Sequence, residues 1–313
     1  MAHPHLFPDA IDCSIESDPS KVKGKTAVIT GGANGIGAVY TKALADAGAY
    51  VMIGDLDKQR AEQLASSYPG QVWVSHCDVT SWDDQVKMFT ETINKSPSGR
   101  IDIVVANAGI SGQDPVFVED PASASVPEKP DLKILNINLI GVMYTIKLAL
   151  FYFRKQYHAA TTLGEKSDST LVLQGSLAGY VDQPGSPQYN ASKFGLRGTM
   201  RCLRRTCWQH GTRVNYIAPW YIKTDIISDA VAERITSKGA VFASIDDAAR
   251  ALIRICVDTT VYGRSLAIVP RMWAPLGYLD VDHDDYKEGD FLKKWQEIVL
   301  NTSHRLTGPS VTE

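Results

Sequence analysis

Residues 25–55 read KTAVITGGANGIGAVYTKALADAGAYVMIGD. KTAVIT (25–30) is a short apolar strand that runs into GGANGIG, and AVYTKALADAGA behind it carries helical spacing. AYVMIGD (49–55) is a second buried strand, ending on an acid. Strand, glycine-rich turn, helix and strand form the opening βαβ unit of a parallel sheet. The alternation continues with helix DKQRAEQLASSY, strand QVWVSHCDV, helix SWDDQVKMFTETINKS and strand IDIVVANAG. It resumes with the long apolar helix DLKILNINLIGVMYTIKLALFYFRKQY, strand STLVLQGS, a helix over about 187–210 and strand TRVNYIAP. SIDDAARALIRICVD, with a Ser cap and two early acids, is a helix, and RSLAIVP is the last strand. Such alternation predicts one α/β unit: a doubly wound parallel sheet of about seven strands with helices on both faces.

Residues 1–21 are polar with prolines and are expected to form an N-terminal arm. Residues 22–275 form the main domain with an integral substrate site, and 276–313 a C-terminal extension with a helix near 288–300. SGQDPVFVEDPASASVPEKP (111–130) reads as a long surface loop, a length more often functional than idle.

The chain has 313 residues and formal net charge −3, and shows no long basic run, so neither nucleic acid nor an anionic membrane is an expected partner. No window is expected to reach the ~18 apolar residues needed to span a bilayer. MAHPHLFPDAIDC lacks the apolar run of a signal peptide. Cys13, Cys77, Cys202, Cys207 and Cys256 are odd in number and show no CxxC spacing. They read as reduced thiols of a cytoplasmic protein, with no metal site. On the same ground the N-x-S/T triplets at Asn190 and Asn301 read as chance rather than glycosylation.

In GGANGIG, Gly31, Gly35 and Gly37 lie between a strand and a helix. There a pyrophosphate can approach bare backbone N–H groups and a helix N-terminus. A tight turn without a ligand is the alternative. Asp55, at the end of the second strand, can accept from ribose hydroxyls and repel a 2′-phosphate, which favours NAD over NADP. Lys58 and Arg60 are the counterweight, since either could turn toward a phosphate.

QGSLAGYVDQPGSPQYNASK (174–193) holds Ser176, Tyr189 and Lys193. On a helix, Tyr189 and Lys193 share a face, and an ammonium beside a phenol favours the phenolate. The Tyr189 pKa is therefore expected to fall, making it a general acid or base, with Ser176 at a strand end beside it. Tyr–Lys pairs at this spacing also arise by chance on exposed helices.

TGGANGIG, ANAG (106–109), the Asn of NINLIG, the Ser of GSLAG and the YNASK box together resemble the short-chain dehydrogenase/reductase family over roughly residues 22–275. Within it, the sequence looks like the NAD-dependent 15-hydroxyprostaglandin dehydrogenase-like branch. The long loop after ANAG and the APW segment look like fungal alcohol dehydrogenases of secondary metabolism. The resemblance implies a Rossmann-like fold and hydride transfer between a secondary alcohol, or its ketone, and NAD. It implies four catalytic residues: Asn138 holding a relay water, Ser176 orienting the substrate oxygen, Tyr189 as acid/base and Lys193 on the nicotinamide ribose. It implies cofactor contacts from Gly31, Asn34, Gly35, Ile36, Gly37, Asp55, Leu56, Asp78 and Val79. Further contacts come from Asn107, Ala108, Gly109, Tyr189, Lys193, Pro219, Ile222 and Thr224.

The family usually has Pro-Gly where this chain has Pro219-Trp220. Glycine adopts torsions that Trp resists, so the following loop is expected to take an altered path, or Trp220 to shape the substrate pocket. Trp220, Tyr221, Met272, Trp273, Leu276 and Tyr278 suit a bulky apolar or aromatic substrate. The tail aromatics could equally pack a subunit contact, since the family commonly forms homodimers or homotetramers through its long helices. An NADPH-dependent ketone reductase, a nucleotide-binding regulator without turnover, and a dehydratase or epimerase using the same Tyr stand as alternatives.

Overall fold

The strand sequences are apolar at nearly every position because both faces of the sheet are covered. Along β1 (Thr26–Thr30), Ala27 and Ile29 join one core while Val28 joins the other. β2 (Tyr50–Asp55) divides in the same way, with Val51 and Ile53 against one layer and Met52 against the opposite one. Side chains alternate with period two, so a helix layer on each side makes continuous apolar runs the stable solution.

The computed structural model describes residues 10–224, 227 and 229–302. The chain runs through β1, α1 (Gly35–Asp46), β2, α2 (Lys58–Ala65), β3 (Val72–His76), α3 (Trp82–Lys95) and β4 (Ile103–Ala106). A long irregular stretch leads to the short α4 (Lys133–Leu135), a π-helical turn (Asn136–Gly141) and α5 (Val142–Thr162). Then come β5 (Ser169–Gln174), α6 (Pro187–Leu203), β6 (Thr212–Pro219), α7 (Asp229–Ser237), α8 (Ile245–Val257), β7 (Ser265–Ile268), β8 (Tyr278–Asp280) and α9 (Phe291–Thr302). Strand order is β3-β2-β1-β4-β5-β6-β7-β8, parallel except for the last pair. α1 and α8 cover one face; α3, α5 and α6 cover the other.

The doubly wound sheet expected from the sequence is present, with eight strands rather than about seven. The extra strand is β8, antiparallel to β7, with Ile268 opposite Tyr278. Three residues are too few for a periodic signal. Arg264 holds β8 in place, donating to Asp280 (2.6 Å) and Asp282 (2.8 Å). Asp280 also accepts from the Ile11 N–H, so the described part of the N-terminal arm is tied to the same point.

One composition reading needs correcting. The continuous helical stretch Lys133–Thr162 contains a window of mean hydropathy 1.7, long and apolar enough to pass as a membrane span. Its Val142, Ile146, Ala149 and Phe153 are buried against the sheet, and that packing accounts for part of the apolarity.

Arg264→Ala leaves the Asp280 carboxylate buried without its cation. A loss of about 3–5 kcal/mol is expected, read as a lowered urea midpoint.

Candidate active site

The strand order reverses between β1 and β4, and a crevice opens at the carboxyl ends of the strands there. It is a cavity of about 800 Å³. Of the residues singled out from sequence, Gly31, Asn34, Gly35, Ile36, Gly37, Asp55, Leu56, Asp78, Val79, Asn107, Ala108, Gly109, Ser176, Tyr189, Lys193, Pro219, Ile222 and Thr224 all line it.

At one end is the glycine turn. Gly31 has φ +63°, and a Cβ on Gly37 would sit 1.9 Å from the Gly31 carbonyl oxygen, so neither position takes a side chain. Asn34 caps α1, its Oδ1 accepting from the Gly35 N–H at 2.8 Å. Asn107 braces the turn from β4, donating through Nδ2 to the carbonyls of Thr30 (3.0 Å) and Gly31 (2.9 Å). Asp55 is held by two backbone donors, Ala33 N–H at 2.9 Å and Asp57 N–H at 3.0 Å. Lys58 pairs with Glu62 (3.5 Å) and Arg60 with Asp57 (3.4 Å). Asp78 Oδ1 accepts from the Thr80 N–H and hydroxyl, both at 2.8 Å.

At the other end, β5 delivers Ser176 and α6 delivers Tyr189 and Lys193. The N-terminus of α6 is fixed by Asp114, whose carboxylate accepts from Gln188 N–H (2.6 Å) and Nε2 (2.9 Å). The buried Asp114 thus anchors the start of the 111–130 loop to this helix. Ser176 Oγ accepts from the Ala178 N–H at 3.1 Å, so its own proton remains to be donated. That hydroxyl lies near enough to the Tyr189 phenol to favour its ionised form. Lys193 is buried, donates to the Gln174 carbonyl at 3.1 Å, and lies 5.4 Å from the Tyr189 ring centroid.

The electrostatics differ from the sequence expectation. Burial pushes the Tyr189 phenol up, and the Ser176 hydroxyl opposes this in part. The expected fall is not found in the protein alone, because desolvation dominates. Burial also pulls Lys193 down, to about 8, which leaves it protonated at neutral pH.

Three further expectations resolve here. Asn138 is fully buried and does not line the cavity. Its amide is occupied by the backbone of Ile110, accepting from the N–H and donating to the carbonyl, each at 2.8 Å. The side chain is therefore engaged in bracing the strand-end loop. Trp220 shows why the loop tolerates a non-glycine. Its N–H continues the pairing to Ile268 O (2.9 Å), its indole donates to Val241 O (3.1 Å), and it is not among the positive-φ residues. Trp220 and Tyr221 line the cavity as expected, and Thr224 lies over Gly35. The tail aromatics do not reach it: Tyr278 is buried in β8, and Met272 and Trp273 are exposed.

Sequence reasoning missed Val181, Asp182, Gln183 and Ser186 on the segment between β5 and α6, and Ile227, Val231, Arg234 and Ile235 from the α7 region. The amphipathic spacing of Ile227, Val231, Arg234 and Ile235 was the available signal.

A profile described as short chain dehydrogenase matches residues 25–235. The chain belongs to the short-chain dehydrogenase family. Curated relatives include 5′-hydroxyaverantin dehydrogenase of Dothistroma septosporum, 36% identical over 287 residues, covering 87% of this chain and 91% of that protein. Another is the NADP-dependent dehydrogenase clz5 of Cochliobolus lunatus, 36% identical over 217 residues, covering 66% and 73%. Among solved structures, that of gox2181 aligns with a TM-score of 0.66 at 27% identity, covering 80% of this chain and 96% of its own. As a member of this family the chain is an oxidoreductase that uses a nicotinamide cofactor. The residues present fit that group: a turn whose glycines leave room for a diphosphate, a helix N-terminus beside it, and an acid at the end of β2.

Lys193 gives a pH test of its environment. Its folded value, about 8, lies below its ordinary value of 10.5. Between those limits the unfolded chain binds a proton that the folded one does not, so stability attributable to this group rises with pH. The stability difference between wild type and Lys193→Met should shift toward wild type by roughly 3 kcal/mol from pH 8 to 10.5. Denaturant midpoints across that range measure it.

Proposed function

We propose that this chain oxidises a bulky apolar or aromatic secondary alcohol to the ketone, with NAD⁺. The observation that carries the reading is the meeting of the Ser176 hydroxyl, the Tyr189 phenol and the Lys193 ammonium in the cavity that holds the glycine turn. Ser176 Oγ and the Tyr189 oxygen hold the alcohol oxygen between them. Tyr189, as phenolate, takes the hydroxyl proton. The Lys193 charge favours that phenolate and counters the burial that opposes it. When bound, NAD⁺ supplies the hydride acceptor. Asn138 contributes by fixing Ile110, and the π-helical turn that contains it lies beside Lys193 across Gly109. Such turns recur at functional sites.

NAD is favoured over NADP by Asp55, which is fixed in place by two N–H donors, while Lys58 and Arg60 are paired elsewhere. One relative is named NADP-dependent, so an NADPH-dependent ketone reductase on the same scaffold is the competing reading. Trp220, Tyr221, Val181, Ile227, Val231 and Ile235 supply the apolar walls that suit a bulky substrate. A relative named for a dehydrogenase of 5′-hydroxyaverantin supports an alcohol as substrate. We also propose a homo-oligomer built on α5 and α6, whose Met143, Phe151 and Phe194 are exposed apolar side chains. A cytoplasmic setting agrees with five free thiols.

A panel of secondary alcohols with NAD⁺ or NADP⁺ tests the reading through the absorbance of the reduced cofactor. Tyr189→Phe should lower kcat by about 10²–10⁴-fold while NADH binding is retained. Asp55→Ser should raise kcat/KM with NADP⁺ and lower it with NAD⁺. A wild-type preference for NADP⁺ would favour the reductase.

A further inference from the structure

Behind the cavity stands a second tyrosine, Tyr216 on β6, fully buried and outside the lining. Its hydroxyl accepts from the Ser176 N–H at 3.2 Å and faces two carbonyls, Ser176 O at 3.3 Å and Lys193 O at 3.2 Å. Pairing of β5 with β6 ends one residue earlier, where Gly175 N–H donates to Ile217 O. Without the phenol, the Ser176 N–H would have no strand partner to donate to. Room for the ring is made by two glycines: a Cβ on Gly175 would lie 1.8 Å from Tyr216 Cζ, and one on Gly179 would lie 2.5 Å from its oxygen. Two backbone positions have therefore given up side chains to admit this one group.

We propose that Tyr216 is a positioning residue of the reaction: its hydroxyl ties the backbone of Ser176 to the backbone of Lys193, and so sets the spacing of the groups that flank Tyr189. Ser176 sits on a strand end and Lys193 on a helix, and these elements have no other hydrogen bond between those two residues among those described. The tie acts on placement alone, and Tyr216 touches neither substrate nor cofactor. The proposal rests on the hydride-transfer reading above.

Tyr216→Phe keeps the ring that fills the space beside Gly175 and removes only the hydroxyl. Amide hydrogen exchange of the empty protein, read by mass spectrometry, should quicken in the peptide containing residues 175–180. With NAD⁺ and an alcohol substrate, kcat should fall by about 10- to 100-fold at an unchanged KM for the nucleotide, as a displacement near 1 Å commonly does. The acid limb of the kcat profile should move to higher pH, because the Ser176 hydroxyl that holds the phenol down is loosened. Thr92→Val is the control: it removes a fully buried hydroxyl on α3, which donates to the Met88 carbonyl at 2.7 Å away from the cavity, and should lower thermal stability while leaving kcat in place. Faster exchange with kcat and pH profile unchanged overturns the proposal, as does unchanged exchange. Should Tyr216→Phe fail to fold, Tyr216→Met, flexible enough to occupy the same space, is read in the same way. The exchange measurement is independent of turnover. A wild type that turns over no alcohol therefore defeats the hydride-transfer reading without touching the tie itself.

Discussion

The amide of Asn107 holds the site open. It reaches from the end of β4 to the carbonyls of Thr30 and Gly31 at the end of β1, where the strand order turns back on itself. The contact closes two neighbouring strands at the rim while the helices that follow them diverge to opposite faces. The crevice between is what a parallel sheet offers a ligand. The glycines follow from the same contact. Gly37 must lie against the Gly31 carbonyl, and a Cβ there would also press on Asn107 Nδ2 at 2.6 Å. The turn, the amide and the helix start are one packing solution.

At the far end of the crevice the organising fact is a buried cation. Lys193 has little solvent and no carboxylate among its hydrogen-bond partners, and its ammonium rests on the Gln174 carbonyl. Gln174 is in turn held by the Tyr40 hydroxyl at 2.7 Å. Burial disfavours both the ammonium and a phenolate beside it, so each group lowers the cost of charging the other. This is the environment in which a phenol can be poised for proton transfer.

Much of this was legible in the sequence because the chemistry demanded particular residue types at fixed intervals. The βα alternation, Gly31 and Gly37, Asp55, and the Tyr189–Lys193 spacing all announce themselves locally. β8 did not, since three residues carry no period and their pairing depends on Arg264, remote in sequence. The Tyr189 shift was misjudged because periodicity reports neighbours but not desolvation. The hold of the Asn138 amide on the backbone of Ile110 had no signal in the sequence, because the two lie 28 residues apart and meet only in the fold. Trp220 was expected either to alter the path of the loop or to shape the pocket; it extends the β6–β7 pairing by one residue and lines the cavity. Tyr216 could have been suspected from the two glycines of GSLAG, which mark a close approach without saying what approaches.

The stretch after β8 braces the back of the site. Asp284 accepts from Ser265 Oγ (2.6 Å), Tyr180 (2.5 Å) and Arg197 Nε (2.7 Å). Burial alone would raise this carboxyl, but the three hydrogen bonds outweigh it and hold the group below the usual carboxylate range. Arg197 lies four residues past Lys193 on α6, stacks on the Tyr180 ring at 3.9 Å and donates to the Gly179 carbonyl. Tyr180 in turn meets the Tyr216 ring edge-on, with centroids 6.2 Å apart. The chain thus returns from β8 to buttress the turn that carries Ser176 and the helix that carries Lys193. Arg204 adds a second clamp on the same stretch, donating to Asp284 O and both oxygens of Asp285. A carboxylate buried among this many donors has one low-energy placement. It passes that constraint to a strand end, a helix and a tyrosine pair that the glycine turn, some distance along the sheet, does nothing to fix.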